Sequence, residues 1–318
     1  MPDRFLPLTS IPTSLWSPSR TLLRLPTQLT TVYAAEIEAR NLLDVSLNTE
    51  PDTGPTGGLS LQDTELHFAT RFSGSCGRTA LAVLDPKSEL RDASDRIIRA
   101  VAGGKVAMLD IPCGTGAGAA ALLTTIATLR EQDCIPCHPL EVRLLGGDKS
   151  PHARQIASAL WTQLAPVLRT QGINLHHEVT EWDVKDEEST VELLSKWIEG
   201  GRDSRLYFIL AANFSGFLGT GNNLKHAQAQ LSQIFHWAGT RAAQIIWIEP
   251  QTNTADSFLQ QLYKGAVSRV RRLFSTLSED PLKPHATSEC TQQHPLSKPK
   301  AFRVRLSLMM LDHKERTP

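Results

Sequence analysis

The stretch VAMLDIPCGTGAG, residues 106–118, decides the reading of this chain. Val106 to Asp110 is a short apolar run, the pattern of a strand buried on both faces of a parallel sheet. Glycines follow at 114, 116 and 118, and an Ala/Leu-rich helix is predicted over 118–130. A buried strand that feeds a tight loop and then a helix places a ligand at the carboxyl end of the strand. Gly114 and Gly116 lack a Cβ, so a ligand can press against the backbone there. The helix N-terminus beyond them favours an anionic group.

Downstream, strands alternate with helices. Strands are predicted at 141–147, 173–179, 205–213 and 243–250, with helices at 151–169, 188–199, 223–238 and 255–275 between and after them. AFRVRLSLMML, 301–311, alternates in polarity and closes the sheet, with a weaker strand candidate in 285–293. This order implies right-handed crossovers and a mainly parallel, doubly wound α/β sheet with helices on both faces. No internal repeat or low-complexity tract interrupts it.

Upstream the pattern differs. Seven of the 19 prolines fall in the first 55 residues, so the chain begins as an extended, turn-rich arm. A helix is expected over 28–44, a loop over 48–58, and a second helix from the capping pair Ser60/Asp63 through Phe72. A third is expected from Ser88 to Ala102, ending at Gly103-Gly104. The division that follows is an N-terminal arm and helical region over 1–100, a lid or substrate-recognition element, before an α/β domain over 101–318.

The 318 residues are 41% hydrophobic and 21% charged, which excludes a disordered, collagen-like or coiled-coil chain. Lys+Arg and Asp+Glu both number 33, so no global field points to nucleic acid or a membrane. No apolar run reaches the roughly 18–20 residues that a bilayer requires. The five cysteines are sparse and odd in number, which fits a reducing, cytoplasmic setting better than a disulfide framework. The acid-poor N-terminus with Arg4, Arg20 and Arg24 resembles an organelle transit peptide in composition, but Pro7, Pro12 and Pro18 would break its helix. Cys134-Ile-Pro-Cys137-His138 spells C-x-x-C-H, yet a zinc site needs a second ligand pair, so it reads as a loop and no metal is expected. Residues 264–318 carry eleven Lys/Arg against five Asp/Glu, clustered at Lys264, Arg269, Arg271, Arg272 and at Lys298, Lys300, Arg303, Arg305. Such clusters are either a solvated face or a track for a phosphate backbone, so nucleic acid stays open as a partner.

Two cofactor classes compete for the glycine loop. A dinucleotide fingerprint wants G-x-G-x-x-G, and here Ala119 takes the third glycine position. An acid at Asp110 lies outside that fingerprint, whereas an adenosyl ligand with an amino-acid tail needs an acid near its amino group. DIPCGTGAG, 110–118, resembles motif I of the class I S-adenosylmethionine-dependent methyltransferases, with Pro112 in place of the first glycine. Asp148, in GGDKSPHARQIA, is similar to the acid that takes both ribose hydroxyls in that family, a task suited to an acceptor-only group. Asp183, in TEWDV, stands where the family often sets an acid against the adenine amino group, with Trp182 or Val184 beside the ring. IIWIEPQT, 245–252, resembles the family's fifth strand.

The resemblance covers about residues 100–311 and implies a Rossmann-like seven-stranded sheet with an antiparallel last strand. It also implies S-adenosyl-L-methionine as cofactor and methyl transfer to an acceptor that is a small molecule, RNA or protein. The cofactor-binding candidates are Asp110, Pro112, Cys113, Gly114, Thr115, Gly116, Asp148, Lys149, Asp183, Ala211 and Arg71. Arg71 is included as a partner for the cofactor carboxylate, against the alternative of a docked helix with exposed arginines. Asn213, at the end of the fourth strand, either orients the acceptor or caps a loop; no Pro-Pro follows it, which disfavours the amino-directed subclass. No catalytic residue is assigned, His67 and His226 being unranked as bases. The alternatives are a silent methyltransferase fold that serves as a binding partner and, less well matched, an NAD-dependent oxidoreductase.

Overall fold

The computed structural model describes residues 4–49 except 18 and 20, then 57–251 and 286–313. Its centre is one mixed sheet of eight strands: β1 Leu22–Leu23, β2 Gly104–Asp110, β3 Leu140–Asp148, β4 Ile173–Glu181, β5 Leu206–Ala212, β6 Ala243–Pro250, β7 Ala286–His294 and β8 Ser297–His313. Their order across the sheet is β1-β7-β8-β6-β5-β2-β3-β4. Only β8 is antiparallel to its neighbours. The chain winds outward from β2 through β3 to β4, then returns to place β5 on the other side of β2. That reversal opens a crevice at the carboxyl ends of β2 and β5, where open α/β sheets bind ligands.

The helices α1 Thr27–Ala39, α2 Leu43–Asn48, α3 Leu61–Leu84, α4 Arg91–Ala100, α5 Ala117–Glu131 and α6 Pro151–Thr170 precede or alternate with the first strands. They are followed by α7 Glu187–Gly200, the single turn α8 Ser215–Leu218, and α9 Asn223–Ala238. Two cores sit on the two faces of the sheet. On one, Val106 and Met108 of β2 pack with α1, α3, α4, α5 and α6, in a cluster that runs from Leu6 of the arm to Leu308 of β8. On the other, Ala107 and Leu109 pack with Trp197 of α7 and Phe235 of α9. The period-two alternation of a strand divides the residues in this way.

Several boundaries differ from the sequence expectation for physical reasons. The helix expected over 28–44 is broken after Ala39, where Asn41 adopts φ +56°, into α1 and α2. The helix opened by Ser60 does not stop at Phe72 but continues to Leu84. The Ser60 hydroxyl accepts from the Asp63 amide at 3.1 Å, as a cap should. Beyond Phe72 the helix passes through Gly74 and Gly77, each about 1 kcal/mol worse than Ala in isolation. Tertiary packing overrides that propensity. A Cβ on Gly77 would lie 1.6 Å from the Gln292 Oε1 of β7, so the glycine leaves the space that the Gln292 side chain occupies against the helix. Gln292 in turn donates to the Ser73 carbonyl at 3.0 Å.

The helix expected from Ser88 begins at Arg91. The arm is not merely extended: Leu22 and Leu23 pair in parallel with Thr291 and Gln292, adding an eighth strand to the seven expected. Arg4 ties the arm to the end of α3, donating to the Leu84 carbonyl at 2.9 Å and to the Asp85 carbonyl at 2.7 Å. The expected helix over 255–275 and the basic residues 264–272 lie outside the described residues. On β8, Arg303 and Arg305 both pair across the strands with Glu289, at 2.6 and 3.3 Å.

Candidate functional site

Strand register collects the site. Asp110, the last residue of β2, is aligned with Gly146 of β3 and with Leu210 of β5. Two residues further along, on the same face, stand Asp148 at the end of β3 and Ala212 at the end of β5. Three strand ends thus project side chains toward one place, on the face covered by α3, α5 and α6.

The loop that leaves β2 is held on both sides. The Cys113 amide donates to the Gly147 carbonyl at 2.9 Å, and the Gly114 amide donates to Asp148 Oδ2 at 3.0 Å. Gly114 and Gly116 have φ of +51° and +85°, the left-handed region that favours glycine. Their reasons for lacking a side chain differ. A Cβ on Gly116 would lie 2.9 Å from Trp161 Nε1 and 3.2 Å from Ala157 Cα, so this glycine serves packing against α6. A Cβ on Gly114 would meet nothing within 4 Å. That backbone faces open space.

Asp110 is buried, and its Oδ2 accepts from the Ala119 amide in the first turn of α5 at 3.3 Å. Burial pushes its carboxyl up to about 7, the Ala119 hydrogen bond opposing this and the Asp148 charge adding to it. Asp148 accepts from the Ser150 amide at 2.8 Å through Oδ1 and from Gly114 through Oδ2. Burial raises it above the usual carboxylate value, against the pull of those two amides and of Arg154. Each of its oxygens keeps a further lone pair for a ligand.

Asp183 lies just beyond β4. Lys149 donates to its Oδ2 at 2.6 Å and the Lys185 amide to its Oδ1 at 3.0 Å. Partial burial would raise Asp183, but these hydrogen bonds and the two ammonium groups outweigh it and hold the carboxyl below its ordinary value. Trp182 beside it is buried, its indole donating to Thr190 Oγ1 at 3.1 Å.

The end of β5 is clamped from two elements. Asn213 has φ +58°, a conformation that asparagine tolerates better than most residues. The next two amides, of Phe214 and Ser215, donate to Glu249 Oε1 at 2.9 and 3.0 Å, and the Ser215 hydroxyl donates to Oε2 at 2.8 Å. Glu249, on β6, is fully buried and also receives the Trp247 indole N–H. Burial raises its carboxyl, with Trp247, Ser215 and the two amides opposing. From the other side Arg78 of α3 donates its Nε–H to Asn213 Oδ1 at 2.9 Å.

These elements enclose a cavity of about 400 Å³, within the range of small-molecule sites. Of the residues singled out from sequence, Asp110, Pro112, Cys113, Gly114, Thr115, Asp148, Lys149 and Asp183 line it. Gly116, Ala211 and Arg71 are not among the lining residues. Gly116 lies beneath the loop against Trp161. Ala211 points to the opposite core, and Ala212 takes the cavity side, as alternation along β5 requires. From α3 it is Thr64, His67, Phe72 and Ser75 that reach the cavity. Arg78 is 3% exposed, contrary to the picture of a docked helix with exposed arginines.

Sequence reasoning missed the contributions of Phe214 and Phe217, whose rings stack at 5.6 Å and 8° on the cavity wall, and of Ser150. The signal for Ser150 was present, since it caps α6 two residues after Asp148 and its hydroxyl accepts from the Ala153 amide. Cys134 and Cys137 lie apart from the cavity, their thiols directed to the Gln132 and Gln171 carbonyls. Among the described residues no cluster of three or more His, Cys, Asp or Glu is placed to hold a metal, and no helix is long and apolar enough to cross a membrane.

Comparison with known protein families and with curated proteins finds no match to this chain.

Proposed function

We propose that this chain binds S-adenosyl-L-methionine in the cavity and transfers its methyl group to an acceptor. The observation that carries the reading is the convergence of Asp110, Asp148 and Asp183, from three successive strand ends, on one cavity beside the open backbone of Gly114. The strand order, with one reversed strand between β6 and β7, agrees with the sequence resemblance over the same region.

The residues present fit such a ligand. Asp148 offers two lone pairs to adjacent ribose hydroxyls, and its position is fixed by two amides. Trp182 and Val184 supply an apolar wall for a purine, with Asp183 at its edge. Asp110 sits at the base of the loop where an ammonium would settle, and the open face of Gly114 admits the aliphatic tail. When bound, the cofactor supplies a methyl group whose bond to the sulfonium breaks as an acceptor lone pair forms the new bond. The protein's part is then to align the acceptor and exclude water. The Asn213–Phe217 side of the cavity, rigidified by Glu249 and Arg78, is the surface against which the acceptor is aligned.

Calorimetric titration with S-adenosylhomocysteine, run beside NAD and with Asp148→Ala, tests the reading. Micromolar binding of the first ligand, lost in the variant, is expected. A folded chain that binds NAD instead, or neither ligand, would overturn it.

A further inference from the structure

The contact between Arg78 and Asn213 fixes the polarity of the acceptor side. An amide side chain can present either its oxygen or its nitrogen to a ligand, and the two cannot be told apart by shape alone. Here the ambiguity is removed by chemistry. A guanidinium carries only donors, so the amide atom 2.9 Å from Arg78 Nε is the oxygen. Asn213 lines the cavity, and its NH₂ is the part of the amide that the Arg78 contact does not engage.

The arrangement is rigid at each point. Arg78 is buried in the second half of α3 and also donates to Ser75 Oγ at 3.4 Å, another cavity-lining group. The Asn213 amide N–H is bound to the Ile248 carbonyl at 2.9 Å, and the following turn is held by Glu249. Rotation of the side-chain amide by half a turn would set its NH₂ against a guanidinium donor, so the bound orientation is strongly preferred. Beside Asn213 the cavity wall is the stacked pair Phe214 and Phe217. An amino acceptor is oriented by oxygen acceptors, and the Asn213 oxygen is turned toward Arg78.

We propose that Arg78 is a positioning residue that holds Asn213 as a hydrogen-bond donor, and that the acceptor is a flat, apolar compound bearing a carbonyl or phenolic oxygen where it meets Asn213. This rests on the reading of the cavity as a methyl-transfer site, and it specifies the substrate class of that site.

A matched pair of probes separates the polarity from mere hydrophobic fit. Acetophenone and α-methylstyrene differ only in C=O against C=CH₂. With the full chain saturated by S-adenosylhomocysteine, ligand-observed NMR titration should give acetophenone about five- to tenfold tighter binding, the value of one hydrogen bond. Asn213→Asp keeps the contact to Arg78 but has no N–H to offer, and Asn213→Gly tolerates the positive φ without any side chain. Both should abolish the preference. Arg78→Lys removes the Nε donor and should reduce the ratio of the two affinities while S-adenosylhomocysteine still binds, an outcome that a general loss of packing would not produce. Equal binding of the probes to the wild type, a preference that survives in Asn213→Asp, or binding of neither probe to the loaded protein would overturn the proposal. Failure of S-adenosylhomocysteine itself to bind would instead remove the methyl-transfer reading beneath it.

Discussion

Asp110→Asn isolates the cost of placing a carboxylate at the base of the glycine loop. The carboxyl rises from an ordinary 3.8 to about 7 on folding, first because it is buried. Folding therefore takes up a proton at this residue between about pH 4 and pH 7, and the native state loses stability as the pH rises across that window. Below the window the group is neutral in both states and contributes nothing. Above it the group is charged in both, and the folded chain bears the whole desolvation cost. At about 1.4 kcal/mol per pH unit, the span of roughly three pH units amounts to about 4 kcal/mol, an upper figure because relaxation and water entry reduce it.

Asparagine is nearly isosteric, and its oxygen can keep the hydrogen bond from Ala119. The variant should accordingly match the wild type near pH 4 and exceed its stability by about 2–4 kcal/mol at pH 8. Urea unfolding at half-unit intervals from pH 4 to pH 8 reads this directly as the difference between two curves. Glu249 is also raised by burial, but it is common to both proteins and cancels; the Asp148 charge, which adds to the rise at Asp110, is part of the difference that the two curves read. The same ionisation should appear in ligand binding: affinity for S-adenosylhomocysteine, whose ammonium favours the charged carboxylate, should increase as the pH rises through about 7 in the wild type only. Stability curves that run parallel for wild type and variant across the whole range would refute the reasoning.

The two loop glycines should separate stability from binding. Gly114→Ala incurs a left-handed backbone cost of about 1–2 kcal/mol, yet its methyl group enters open space, so S-adenosylhomocysteine affinity should fall at least about tenfold by calorimetry. Gly116→Ala adds a collision with Trp161 and Ala157, and thermal or urea unfolding should register a loss of about 2–4 kcal/mol; equal effects of the two variants on stability would count against the distinction. Glu249→Ala leaves the buried amides of Phe214 and Ser215 and the Trp247 indole without this acceptor, and should cost about 3 kcal/mol or more in urea unfolding. A loss below about 1 kcal/mol would mean that water or a rearranged turn replaces the carboxylate.

Much of the fold was legible because it is written locally. The strand over 243–250 and the helix over 223–238 have the boundaries that their periodicity predicts, and the other βα elements among the described residues differ by only a few residues. The positions of Asp110, Gly114 and Asp148 were legible for the same reason, since each stands at a strand end or in the loop that follows it, while their resemblance to known motifs is what singled them out as ligand-binding candidates.

What escaped the sequence depends on partners that are distant along the chain. Arg78 and Asn213 are 135 positions apart, and nothing local marks either as the other's partner. Glu249 ends a strand with an ordinary E-P pair, and only the adjacency of β5 and β6 shows that its carboxylate holds the turn after Ala212. The continuation of α3 through Gly74 and Gly77 contradicts local propensity; its second half is buried in the core, with Gln292 packed against its flank. Leu22 and Leu23 become a strand because the edge of β7 is there to receive them. Sequence by itself determined the alternation of elements and the acids at their ends, since periodicity and turn chemistry act over a few residues. Tertiary structure alone decided which strand lies beside which, how the amide of Asn213 is turned, and which side chains share the cavity, since burial and hydrogen bonding are settled between segments.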